Sequence, residues 1–236
     1  MNYLERYRDG EYDRVWDELK ALGPAVRQEP HYSQAREVAT ETMRRVRRNC
    51  ELLVIRLHSL GYVFGTYPDG TTDYYTEGPL LGPADTIRGE ISELEVEAGP
   101  LPLSLVAFWQ EVGSLDFVGM HPDWQDGLDP LVVIPPNGAL SLLYEEEGDE
   151  DIAAAGRFAG LAPDDLHKDN VSGGDPYGVA LPEPAADFVF LNECHNVPFV
   201  TYLRMAILRW GGFPGLDRRS EQFEPLGELV AGLEPF

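Results

Sequence analysis

EAGPLPLSLVAFWQEVGSLDFVGM, residues 97–120, reads as a short helix opened by a Leu-Pro step, closed by a glycine and followed at once by a strand. Pro102 suits the first turn of a helix, where its missing N–H would have had no intrahelical partner. Leu105, Phe108, Trp109 and Val112 fall at i, i+3, i+4 and i+7, one apolar stripe. Gly113 stands where a left-handed C-cap would sit. Such a stripe must be covered by another element, so Phe108 and Trp109 are expected in the core. The element is a packing unit and carries no chemistry of its own.

Upstream, Asp85 can cap a helix through Ile87, Ile91 and Leu94 that leads into the Leu-Pro step. Earlier still, residues 11–22 place Tyr12, Val15, Trp16, Leu19 and Leu22 on one face, and Gly23-Pro24 ends the pattern. Ser33 then opens a long helix to Leu60. Its apolar positions, including Val46, Cys50, Leu53 and Leu57, keep a helical period until Gly61. The short connection predicts an antiparallel helical pair. Residues 62–64 and Tyr74-Tyr75 flank the turn-rich PDGTT at 68–72, the pattern of a hairpin.

Downstream, strands are expected at 115–120, 131–134, 140–144 and 187–192. Residues 199–210 are amphipathic, with Phe199, Leu203, Ala206, Ile207 and Trp210 on the buried side, and Gly211-Gly212 stops them. The fold class expected is α+β: a mixed or antiparallel sheet with helices packed around it, preceded by an N-terminal helical pair. Residues 1–62 would form that pair and 63–236 the core with its C-terminal helix.

The chain carries a net charge of −23, unevenly spread. Residues 1–60 hold 11 basic and 10 acidic side chains, whereas 61–236 hold 7 and 31. Between Arg88 and Arg204 only Arg157 and Lys168 are basic, against 22 acids. Such a field repels nucleic acid and anionic membranes; it would attract a cationic partner, or simply keep the protein soluble. The N-terminus has no apolar signal core, no apolar run approaches membrane-spanning length, and there are two widely spaced cysteines, Cys50 and Cys194. A cytoplasmic protein with unpaired thiols and no membrane or nucleic-acid partner is expected.

No phosphate-loop, dinucleotide-binding, zincin or nucleophile-elbow pattern occurs, so no catalytic residue, cofactor or metal is expected. The glycine-rich GGFPG at 211–215 follows a helix and reads as a stop and turn. Cys194-His195 pairs a nucleophile with a base in type only: neighbours on a strand point to opposite faces, and such dyads are built from distant segments. Asp164, Asp165, His167 and Asp169 have metal-type chemistry but miss the calcium-loop pattern at Asn170. They read as an acidic loop. The densest acidic cluster, Glu145, Glu146, Glu147, Asp149, Glu150 and Asp151, is the candidate partner-binding surface.

The glutamate-bearing helix ISELEVEAG, then LPLSLVAFWQEVG, then LDFVG, resembles the signature of the SUKH superfamily. Glu93 or Glu95, Leu101-Pro102, Phe108-Trp109 and Gly113 carry the likeness. Ser114 stands where a second glycine is common. The resemblance spans roughly residues 84–216, including D-P-L-V-V-I at 129–134 and the GGFPG turn. It implies an α+β fold and a non-catalytic role in protein binding, as in immunity proteins that neutralise a cognate bacterial toxin, often a nuclease. A basic toxin domain would suit the charge. A regulatory adaptor for an endogenous partner, or an enzyme with an unrecognised site, are the other readings.

Overall fold

Helix α3 (His31–Leu60) is the spine of the molecule. In the computed structural model, which describes residues 2–67, 69–72, 77–124, 127–144, 157–219 and 223–236, one side of α3 is sealed. Val46, Cys50, Leu53 and Leu57 are all fully buried. The helix begins before Ser33, whose hydroxyl donates to Glu29 within the first turn. Gly61 closes it in the left-handed conformation. Before it stand α1 (Tyr3–Arg8) and α2 (Tyr12–Ala21), then a 3-10 turn (Gly23–Arg27). Trp16 of α2 donates its indole N–H to Thr42 of α3 at 3.1 Å inside the core. α1 has a reciprocal cap between Asn2 and Glu5. The apolar reading overlooked it because six residues show too little periodicity.

The stripe quoted first lies on α5 (Leu103–Glu111), packed against α3 and preceded by α4 (Ile87–Ala98). Phe108 and Trp109 are fully buried, and the Trp109 indole donates to the Ile134 carbonyl at 2.8 Å. Gly113 has φ +91, and a Cβ there would stand 2.1 Å from the Leu81 carbonyl oxygen. Only glycine allows the chain to turn so close to that strand.

The strands are short and all their pairings are antiparallel. β1 (Val63–Phe64) pairs with β4 (Gly119–Met120). β2 (Leu80–Leu81), β3 (Ser114–Asp116) and β5 (Val132–Val133) make a second sheet. β6 (Leu143–Tyr144), β7 (Arg157–Ala162) and β8 (Tyr177–Leu181) make a third. The architecture is α+β, but in place of the single sheet expected the described residues form three small ones. The strand expected at 115–120 is broken into β3 and β4. Val63 and Phe64 pair with β4, and an isolated antiparallel bridge joins Thr66 to Thr72 across the PDGTT turn; Tyr74-Tyr75 lie outside the described residues.

The region 140–144 is also not one strand. Helix α6 (Pro136–Ser141) precedes β6, because Pro135-Pro136 presets the first turn and Ala139 is drawn into the core. Residues 187–192 make only isolated bridges, Val189 with Pro198 and Leu191 with Gly178. The amphipathic stretch at 199–210 is α8 (Phe199–Arg204) continued by a π-helical turn (Met205–Arg209). Its Phe199, Leu203, Ala206 and Ile207 are buried, and Trp210 is half-buried.

One hydrophobic cluster runs from Tyr7 to Phe236, so the N-terminal helices share the core of the rest. The C-terminal tail, beyond helix α9 (Leu226–Val230), returns to α3. Asn49 exchanges two hydrogen bonds with the backbone of Glu234, both 2.8 Å. No described helix is long and apolar enough to cross a membrane.

Candidate functional site

Four loops meet at the end of the β7–β8 hairpin. Between these strands lies α7 (Asp165–Lys168), capped by Asp164, which accepts from the N–H groups of Leu166 and His167. Lys168 points inward. Its ammonium donates to Asp129 Oδ1 at 2.6 Å, and both side chains are fully buried. Its Nζ also lies 4.6 Å from the centre of the Tyr177 ring. The Tyr177 hydroxyl accepts from the Asp165 N–H at 3.1 Å and donates to Asp129 Oδ2 at 3.4 Å. Burial, reinforced by the nearby carboxylates, pushes this phenol far above its ordinary value, so it stays protonated.

The 3-10 turn Pro214–Arg218 supplies the next wall. Gly215 packs on the backbone of residues 127 and 128, where a Cβ would fall 2.7 Å from the nearest atoms, and its N–H donates to the Leu128 carbonyl. This close approach sets Arg218 beside the buried pair. Arg218 bonds Asp165 at 2.8 Å and lies 3.7 Å from Asp129. The GGFPG segment therefore acts as the stop and turn expected, and also delivers this cation.

Cys194 and His195 sit in a turn and not on a strand, between the positive-φ residues Asn192 and Asn196. The turn brings their side chains together, with Sγ 3.5 Å from Nδ1. It does not make a nucleophile. His195 Nδ1 is 2.5 Å from Glu193 Oε1, and Nε2 is 2.6 Å from Asp217 Oδ2. Two carboxylate acceptors require a proton on each nitrogen. Burial lowers the His195 pKa, but the bonds to Glu193 and Asp217 outweigh it and hold the ring above its ordinary value. No lone pair is left to activate Cys194, whose thiol burial and Glu193 push up to about 11.

Glu193, Cys194 and His195 are also the one described group whose donors could converge on a metal ion, with ligand atoms within 4.8 Å of one another. Two ligands on one tetrahedral zinc stand roughly 3.3 Å apart, given bonds of about 2.0–2.1 Å. The 2.5 Å between Glu193 and His195 is instead a hydrogen bond. The arrangement is a charged bridge tying this turn to Asp217.

Beside the network opens a pocket of about 530 Å³, walled by Tyr67, Ile134, Leu142 and Val171 with Asp164 and His167 at its edge. Leu142 and Val171 are 45% and 51% exposed, and Leu166 of α7 is 43% exposed nearby. The β7–β8 connection, which bears Leu166 and Val171, holds Asp164, Asp165, Asp169 and Asp175, and its one lysine is consumed by Asp129. Asn170 bonds Asp69 and Thr71, and Asp169 accepts from the Gly127 N–H, so both edges of the loop are tied down. Gly174 folds over the Asp164 carboxylate, where a Cβ would meet it at 2.6 Å.

The acidic loop read from sequence at 164–169 is thus gathered with Asp129, Tyr177, Glu193, His195 and Arg218, which sequence spacing had left separate. The cluster Glu145, Glu146, Glu147, Asp149, Glu150 and Asp151 lies outside the described residues. Comparison with known proteins finds no family model, no curated protein and no solved structure that matches this chain.

Proposed function

We propose that the protein is a non-catalytic binding protein that neutralises a cationic protein partner, in the manner of a bacterial toxin-immunity protein. The observation that carries this reading is the pocket at Leu142 and Val171, an apolar recess beside a carboxylate-bearing loop that a fully buried ion pair anchors. A partner would insert an apolar side chain there and set lysines or arginines against the acidic rim. A pinned loop loses little conformational freedom on binding, which favours tight association. The net charge of −23 would accelerate encounter with a basic toxin domain. The resemblance of residues 84–216 to SUKH proteins supports the same role. Cys50 and Cys194 are both unpaired, as suits action in a reducing cytoplasm.

The test is co-expression with the product of the adjacent open reading frame. The wild-type chain should relieve that product's toxicity and form a complex with it. L142D/V171D, changed only at exposed positions, should fold and fail to protect. Protection by the double variant equal to wild type would overturn the assignment of the pocket. Failure of wild type to bind any cationic neighbour-encoded protein would overturn the role.

A further inference from the structure

Carboxylates outnumber basic side chains by 41 to 18, and most of the described cations are neutralised by one. Arg27, Arg36 and Arg88 are exceptions: among the described residues none has a carboxylate within 4.0 Å, and all three line one cleft. The cleft has a volume of about 450 Å³ and lies between α3, α4 and α5, on different side chains from the pocket at Leu142.

The three come from separate elements. Arg27, on the 3-10 turn before α3, is braced at the cleft edge by donating to the carbonyls of Leu101 and Pro184. Arg36, on the first turns of α3, lies 5.5 Å from the centre of the Tyr32 ring. Arg88, on the first turn of α4, is exposed and makes no described polar contact. Glu95 is the one carboxylate in the lining, and its Oε1 accepts from the Leu101 N–H at 3.4 Å. The lining therefore carries a local charge of about +2 inside a strongly acidic protein. Ile91, Leu103 and Val106 give it an apolar floor.

Like charges gathered in a cleft repel one another, and low-dielectric walls focus their field. With carboxylates in such surplus, the arrangement fits an anion supplied from outside. Guanidinium forks match phosphate bidentately, and a phosphate monoester is nearly dianionic at neutral pH. The volume is within the roughly 300–1,000 Å³ of small-molecule sites. We propose that this cleft binds a small phosphate monoester, its phosphate held by Arg36 and Arg88 against Arg27 and its body resting on the apolar floor.

Isothermal titration of the full chain with adenosine monophosphate, inorganic phosphate and adenosine tests this. The monoester should bind and raise the melting temperature. R36A/R88A changes two exposed side chains that make no ion pair, so the unliganded melting temperature should stay near that of wild type, and affinity should fall by roughly tenfold or more. R36K/R88K, which keeps the charge and loses the forks, should recover only part of it. Absence of heat with the monoester at about 10 mM, a thousandfold above a micromolar-range Kd, would overturn the proposal. So would equal affinity of the double alanine variant, or adenosine binding as tightly as its monophosphate. Inorganic phosphate binding as tightly as the monoester would overturn the assignment of an ester body.

Discussion

Lys168 and Asp129, 39 positions apart, form an ion pair with no solvent exposure on either side chain, 2.6 Å from nitrogen to oxygen. Taking two charges out of water is costly, and the pair persists because the Tyr177 hydroxyl also donates to Asp129 and the Arg218 guanidinium adds a second positive charge 3.7 Å from it. Lys168→Met should leave that carboxylate under-compensated and destabilise the fold by about 3–5 kcal/mol. Adding Asp129→Asn, which tolerates the backbone φ of +50 at that position, should recover much of the loss. Urea unfolding of the single and double variants measures both. A cost below about 1 kcal/mol for K168M would show that the pair does not hold the loop.

Asp187 presents the opposite case, a buried carboxyl with no ion-pair partner within 4.0 Å among the described residues; Lys20 acts on it only at longer range. Ser104 donates to its Oδ1 at 2.8 Å and the Val200 N–H to Oδ2 at 3.3 Å, so it joins the starts of α5 and α8. Burial raises its pKa to about 6, only partly offset by these bonds. The folded state therefore holds this proton more tightly than the unfolded chain. Its contribution is fully present below about pH 4 and is lost as pH rises through about 6, on the order of 3 kcal/mol in total. The stability of wild type minus that of Asp187→Asn should fall across this window. A flat difference between pH 4 and 7 would rule the assignment out.

Trp109→Ala should cost about 3–5 kcal/mol, because it empties a fully buried site and strips the Ile134 carbonyl of its indole donor. This element was legible from sequence, as was α3, because a long apolar period is a local property. The hub around Lys168 was not. The lysine's burial depends on a residue in another loop, and the metal-type spacing along 164–169 drew attention to its carboxylates and histidine, away from Lys168. One signal was available: in the acid-rich span between Arg88 and Arg204, Lys168 is one of two cations, and an isolated lysine among acids invites a search for its partner. Residues 140–144 were misread for a different reason. Their apolar pattern is too short to separate helix from strand, and the Pro135-Pro136 start decided it.

The bridge from Glu193 through His195 to Asp217 predicts a second pH response of defined sign. A histidine held above its ordinary value stabilises the fold below that value, and the contribution is lost as pH rises through the raised pKa. Asp217→Asn keeps an acceptor oxygen but removes its negative charge, and should shift the His195 titration, followed by NMR, to lower pH. An unchanged midpoint would mean that Asp217 does not hold the ring.

The last prediction concerns how a partner arrives. Glu145, Glu146, Glu147, Asp149, Glu150 and Asp151 are the densest acids of the chain, and the pocket at Leu142 opens only a few residues before them. If encounter is steered by this charge, replacing three of the six with lysine should slow association with a cationic partner markedly at low salt and leave the dissociation rate nearly unchanged. Raising the salt should shrink the difference, since screening shortens the field to about 3 Å at 1 M. Leu142→Asp and Val171→Asp should behave oppositely. They lie in the apolar recess, so they should speed dissociation at every salt concentration. Stopped-flow association and dissociation rates at low and high salt separate the two effects. An unchanged association rate for the charge-reversed chain would exclude the cluster as the steering surface, and the recess would then carry recognition alone.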